Sequence, residues 1–145
     1  MNSPTELAVY VNRVEAAQPL TATDVIRAVK AAAEAESVPS GEISVTFLDT
    51  GAMSALNEAH LQQDEPTDVI AFNLGELAAP LGDVYICPEV ARESAAEYGV
   101  SPREELLRLI VHGVLHVLGH DHPDGPERMN SEMFRRQEAI LSQLA

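Results

Sequence analysis

The histidines near the C-terminal end are the residues whose types and spacing point most directly to chemistry. Three of them, His112, His116 and His122, lie within eleven consecutive residues. His112 and His116 are four positions apart, and in a helix this spacing places both imidazoles on one face, with Cβ atoms about 5 to 6 Å apart. Two imidazoles at that separation can bind one metal ion, so the pair predicts a metal site.

Gly119 is expected to supply the turn that brings the third histidine to the pair. Glycine accepts the left-handed conformation that ends a helix, and a chain that turns back there carries His122 toward the other two. Three neutral imidazoles leave one position of a tetrahedral ion to water, which is typical of a catalytic zinc, whereas structural zinc is closed by four ligands that usually include cysteine. The cluster therefore predicts one Zn²⁺ ion.

A structural interpretation of individual members of the cluster stays open. His112 and His116 would then be buried polar groups that bond to backbone carbonyls, and His122 would be a surface loop residue. Burying several imidazoles without a bound metal to compensate would cost free energy. His120 and Asp121 share the same turn. Both can be solvated loop residues, or Asp121 can orient a ligand imidazole or transfer a proton.

The spacing of the three histidines matches that of the metzincin metallopeptidases, with one difference that bears on the chemistry. The residue after the first histidine is Gly113, where those enzymes carry the glutamate that takes a proton from the zinc-bound water. Its absence argues against peptidase activity. A nuclease depends less on such a base, because zinc lowers the pKa of bound water to about 7 and offsets charge on a phosphoryl oxygen.

The elements that must position these residues are predicted in the order β, α, β, α, β, β, α, α, α. Ser101 followed by Pro102 and Glu104 predicts a helix start with a capping box, and apolar residues all around the following helix predict that it is buried. We expect an α+β fold with a small mixed sheet of about four strands and about five helices. Strands are predicted at 6–12, 41–48, 68–74 and 81–86, and helices at about 21–36, 51–60, 88–97, 101–118 and 127–144.

Composition limits the class of protein. The 145 residues suit a single domain, 1–145. With 9 basic and 23 acidic residues the net charge is −14, which excludes nonspecific attraction to nucleic acid, and no DNA partner is expected. The single cysteine, Cys87, excludes an intramolecular disulfide. No signal segment or long apolar stretch is evident, so we expect a cytoplasmic protein without membrane association.

The histidine run and four other segments resemble one known family. Residues 112–122 are similar to the pattern His-Gly-x-Leu-His-Leu-x-Gly-Tyr-Asp-His of the YbeY family, the bacterial endoribonucleases and rRNA maturation factors. The segments Leu56-Asn57, 64–72, 81–86 and 132–141 resemble other parts of that family. The likeness extends over nearly the whole chain, and its central motifs are specific.

The resemblance implies a zincin-like metal-dependent hydrolase in which His112, His116 and His122 bind zinc. It also implies an endoribonuclease selective for single-stranded RNA, with roles in maturation of the 3′ end of small-subunit rRNA and in ribosome quality control. Asp121 is a candidate for handling the proton during in-line hydrolysis of the phosphodiester, and Asp68, where a loop enters a strand, is a weaker one. Because the chain is acidic, we expect it to act on the ribosome or with ribosomal proteins.

Two positions depart from the family pattern. His120 stands where the family usually has tyrosine, which adds a possible fourth ligand or proton carrier. Leu61 stands where the family commonly has an arginine that is thought to hold the RNA phosphate. We hypothesise that Arg103, Arg108 or Arg128 replaces it. Without such a residue, the alternatives are a ribosome-assembly factor with a mainly structural metal or, third, a metallopeptidase.

Overall fold

The structure is a computed structural model that describes residues 7–13, 18–61, 68–75, 80–120 and 131–144. Within these ranges a four-stranded mixed sheet packs with five helices, which confirms the predicted α+β class. The strands are β1 (Leu7–Arg13), β2 (Gly41–Phe47), β3 (Val69–Asn73) and β4 (Leu81–Ile86). The helices are α1 (Ala22–Ala35), α2 (Thr50–Leu61), α3 (Pro88–Tyr98), α4 (Pro102–Val117) and α5 (Glu132–Leu144).

The sheet has the order β1-β2-β4-β3. β2 runs parallel to β1 and β4, and β3 is antiparallel to β4. Alternating residues of the strands face two different apolar layers. Ile43, Val45 and Val84 belong to the main core with α1, α4 and α5, whereas Ile70 of β3 belongs to a smaller cluster with α2. The sheet is thus covered by helices on both faces.

Helix α4 lies at the centre of the main core. It contacts α1, α3, α5, β3 and β4, and its second half from Leu109 to Val117 is buried except at His116. Gly113 allows this close approach: a Cβ added there would lie 2.5 Å from Val84 Cγ1 and 3.2 Å from Val84 Cγ2. A Cβ at Gly82 would likewise overlap Val117. Two glycines therefore let α4 sit directly against β4.

The predicted helix starts are largely confirmed. At α1, the Thr21 hydroxyl accepts from the Asp24 amide while Asp24 accepts from the Thr21 amide, which is a complete capping box. At α4, Ser101 accepts from the Glu104 amide, but the Glu104 carboxylate bonds to Arg108 rather than closing the box.

The predicted start of the last helix at about 127 lies outside the described residues, within which α5 begins at Glu132. The Ser131 hydroxyl accepts from the Phe134 amide and so caps this end. No helix in the described part of the chain has the length and apolar character needed to cross a membrane.

Candidate metal centre

His112 and His116 lie on the same face of α4, as their spacing predicts. Their ring centroids are 4.7 Å apart and the rings are inclined at 77° to each other. His112 is 6% exposed, and His116 is half-buried. The pair lies on the largely buried second half of α4, a helix that packs against three other helices and two strands, so the two imidazoles have a rigid support.

The turn predicted at Gly119 is present. Gly119 has a φ of 101°, in the left-handed region, and its amide donates to His116 O while the His120 amide donates to Leu115 O. This pair of bonds is a Schellman motif, which ends α4 and redirects the chain. His122 and Asp121 lie outside the described residues, and their roles stay predictions. Among the described residues, no group of three or more His, Cys, Asp or Glu could hold a metal ion.

Gln137 of α5 fixes the tautomer of His112. Its side-chain Nε2 donates to Glu138 Oε2 at 3.0 Å, which orients the amide so that Oε1 faces His112 Nδ1 at 2.7 Å. An amide oxygen accepts only, so Nδ1 carries the proton and Nε2 keeps the lone pair with which a neutral imidazole binds a metal. The donor set therefore fits a metal ion.

Arg108 holds the Glu138 carboxylate in place and so orients the side-chain amide of Gln137. The guanidinium donates to both Glu138 oxygens at 2.9 and 3.0 Å, to Glu105 at 3.0 Å and to Glu104 at 3.1 Å. Burial raises the pKa of Glu138, but the bonds from Arg108 and Gln137 outweigh it and lower this pKa overall. Glu138 is thus held as a carboxylate. Burial dominates at Glu105 instead, and its pKa is raised despite Arg108.

Asp68 and His112 line the same cleft, which has a volume of about 440 Å³. Asp68 is half-buried where the chain enters β3, and its backbone carbonyl accepts from the Cys87 amide. The cleft walls come from α3, α4 and α5, and include Tyr98 and Phe134. The structure thus brings together Asp68 and the first of the predicted ligands.

Two of the three arginines considered as phosphate-binding residues are already bound to carboxylates. Arg103 makes a two-bond contact with Asp24, at 2.9 and 3.1 Å. Arg108 is held by three glutamates as described. These carboxylates offset the charge of both guanidinium groups and occupy two of the five N–H donors of Arg103 and four of those of Arg108, which weakens the case for either as the phosphate clamp. Arg128 lies outside the described residues, and Leu61 is the last residue of α2.

His120 has a partner that its sequence position did not predict. Its Nε2 lies 2.5 Å from Glu36 Oε1, just beyond the end of α1, and Arg136 of α5 donates to the other Glu36 oxygen at 2.8 Å. The cluster joins the ends of α1 and α4 to α5. Burial raises the pKa of Glu36, but the bonds from His120 and Arg136 prevail and lower it. With Nε2 bound to Glu36, His120 is less suited to be a fourth ligand.

Sequence reasoning missed Gln137, Glu138 and Glu36. Gln137 left one signal, since it is a polar residue on the face of α5 that also carries Met133, Ile140 and Leu141, all of them buried. Cys87, the single cysteine, is fully buried. Gly113 is explained by packing: the position of the metzincin glutamate lies against Val84, where no side chain fits.

Comparison with known proteins gives consistent matches along the chain. Residues 10–145 match the family model described as "Endoribonuclease YbeY". The relative of that name from Beutenbergia cavernae is 45% identical over 113 residues, which are 71% of this chain and 74% of the relative. The one from Geobacillus kaustophilus is 43% identical over 124 residues, which are 77% of this chain and 78% of the relative.

The fold is also found in a solved structure. The solution structure of TM1509 from Thermotoga maritima aligns with a TM-score of 0.62, over 95% of this chain and 88% of that one, at 24% sequence identity. At this identity the likeness supports the fold alone, including the mixed sheet packed with helices.

Proposed function

The chain belongs to the YbeY family, and from that premise we propose that it is a metal-dependent endoribonuclease that hydrolyses phosphodiester bonds of single-stranded RNA. The matched relatives are named as endoribonucleases. The observation that carries the proposal is the bond from His112 Nδ1 to Gln137, because it prepares Nε2 to bind a metal beside an open cleft.

We propose His112, His116 and His122 as the ligands of one Zn²⁺ ion. The first two are supported by their common helix face, and the third by its position in the sequence three residues after Gly119, where the Schellman turn ends α4. When bound, zinc supplies a water of lowered pKa and a positive charge for the phosphoryl oxygen.

The protein's own groups supply the proton handling and the positioning of the substrate. Asp68 lines the cleft with His112, and we propose that its carboxylate accepts a proton from the attacking water or orients that water. Asp121 is the second candidate, from its place next to His122. Gln137 holds the His112 ring in place throughout the reaction.

We further propose that the substrate is rRNA, at the 3′ end of the small-subunit molecule, and that the protein acts on ribosomes or with ribosomal proteins in the cytoplasm. The net charge of −14 supports a role for such partners, since a chain this acidic gains little from phosphate attraction. The described strands form one sheet, and α4 contacts that sheet and three of the other helices. This common core supports our proposal of a single domain over residues 1–145.

The ion pairs of Arg103 and Arg108 favour one alternative. With both guanidinium groups bound to carboxylates, the chain could instead be a ribosome-assembly factor with a mainly structural metal and weak cleavage. The metallopeptidase alternative is disfavoured, because Gly113 lies against Val84 and cannot be replaced by a base without moving β4.

One experiment separates these functions. The zinc-loaded protein and its His116→Ala variant, purified identically, are incubated with a single-stranded RNA, a duplex RNA and a peptide mixture. We expect cleavage of the single-stranded RNA alone, and only by the unmodified protein. Equal RNA cleavage by the variant would reveal a contaminating nuclease, and a zinc-loaded protein that cleaves nothing would point to the assembly factor.

A further inference from the structure

We propose that Tyr98 is a stacking platform for a nucleobase of the RNA, and that it holds the strand in the cleft beside His112. This inference deepens the proposed function and rests on it. Tyr98 is the last residue of α3, and its side chain is one of those that line the cleft.

Tyr98 is unusually exposed for an aromatic residue. It is 68% exposed, and of the large exposed hydrophobic residues described, which include Tyr10, Leu74 and Leu81, it is the one that lines the cleft. Its backbone is well fixed, because Gly99 ends α3 in a left-handed conformation with bonds to Ala95 O and Ala96 O. A rigid helix end thus presents a solvent-facing ring at the cleft.

The acidic lining of the cleft favours contacts to the RNA bases over contacts to the phosphates. Its described lining includes the carboxylates of Asp68, Glu105 and Glu138, and its one arginine, Arg108, is bound to glutamates. Attraction between these side chains and the phosphates therefore adds little here, so contacts to the bases gain importance for RNA affinity. Stacking of a base on an aromatic ring changes affinity by roughly 5- to 150-fold and tolerates any base, because every base has a π-face.

Phe134 supports the same assignment from the other wall. It lies on α5, half-buried, and lines the cleft together with Tyr98. Aromatic side chains on two helices give a single strand apolar surfaces on which unpaired bases can lie, whereas the paired bases of a duplex are already stacked. The arrangement accounts for a preference for single-stranded RNA.

The composition allows a direct test by fluorescence. The chain has no tryptophan, so Tyr98→Trp introduces a single reporter at the proposed contact. Tyr10→Trp is the matched control, because Tyr10 is 53% exposed on β1 and does not line the cleft. The zinc-loaded variants are titrated with a 2′-O-methyl oligonucleotide, which resists cleavage, and with the same strand carrying abasic sites.

We expect saturable quenching of Tyr98→Trp that is several-fold weaker with the abasic strand, and no change in Tyr10→Trp. Equal responses of the two variants would overturn the proposal. So would an unquenched Tyr98→Trp, whether or not a labelled strand shows binding by anisotropy. Circular dichroism confirms that both variants are folded.

Kinetics provide the second readout. Tyr98→Ala is expected to raise KM for single-stranded RNA by at least about fivefold with kcat little changed, while Tyr98→Phe and Tyr10→Ala keep the original KM. An unchanged KM for Tyr98→Ala contradicts the proposal. Quenching without any RNA cleavage by the unmodified protein would overturn the nuclease function but support the stacking contact, so the two failures are distinguishable.

Discussion

His112 and His120 lie eight residues apart, yet they have partners of opposite character. His112 is buried on α4 and donates to the neutral amide of Gln137, which leaves its other nitrogen able to bind a metal. His120 bonds to the carboxylate of Glu36, which is also held by Arg136. The difference teaches that the partner of each histidine, more than its position in the motif, decides whether its second nitrogen is prepared for a metal or the ring links helices together.

The largest expected effect is a difference in zinc content between variants of His112 and His120. His112→Ala removes a proposed ligand, so zinc binding and RNA cleavage should be lost almost completely. The loss should exceed the roughly 10- to 100-fold that is typical when only a group that orients a ligand is removed. His120→Ala should keep a full equivalent of zinc. Zinc is measured by mass spectrometry after dialysis, and a His120→Ala protein without zinc would break the comparison.

The next effect concerns the partner of His112. Gln137→Met keeps the size of the side chain but removes the acceptor, so zinc affinity is expected to fall about 10- to 100-fold. Gln143→Met is the matched control, since Gln143 is an exposed glutamine on the same helix. Competition with a chelator of known affinity measures the change. Equal affinities of the two variants would show that the amide does not prepare the ligand.

The partner of His120 should affect stability rather than metal binding. Glu36→Gln weakens the bonds to His120 and Arg136 and is expected to lower the free energy of unfolding by about 1–2 kcal/mol. Urea denaturation measures this change, and zinc content should stay the same. A stable variant with reduced zinc would instead connect Glu36 to the metal centre.

The smallest effect is a pH dependence of that stabilisation. The folded pKa of Glu36 lies below its ordinary value of 4.5, so the contribution is complete above pH 4.5 and is lost as the pH falls through the folded pKa. The difference in unfolding free energy between the unmodified protein and Glu36→Gln should therefore shrink below pH 4.5. A difference that grows with acid would contradict the lowered pKa.

Local patterns predicted most of the fold. The helix start at Ser101 and Pro102, the strand segments and the glycine turn at Gly119 each depend on residues close in sequence, and the structure contains all of them. The relative placement of His112 and His116 was predictable for the same reason, because a helix fixes residues four positions apart.

The partners of the histidines could not be predicted from such patterns. Gln137 is 25 residues from His112, and Glu36 is 84 residues from His120, so both contacts exist only once α1, α4 and α5 have packed. Arg108 and Glu138, which also bond to each other, are 30 residues apart in the sequence. A motif can therefore identify a candidate ligand, but the group that sets its protonation and orientation depends on tertiary packing.

Gly113 and Val84 restrict the mutations that this scaffold accepts beside the first histidine. The Val84 methyl groups occupy the space that a side chain on residue 113 would need. We expect a larger residue at position 113 to be tolerated only when a smaller residue replaces Val84 in the same protein. Any evolutionary or engineered route to an acidic residue next to His112 therefore has to begin in the sheet, with a change in β4.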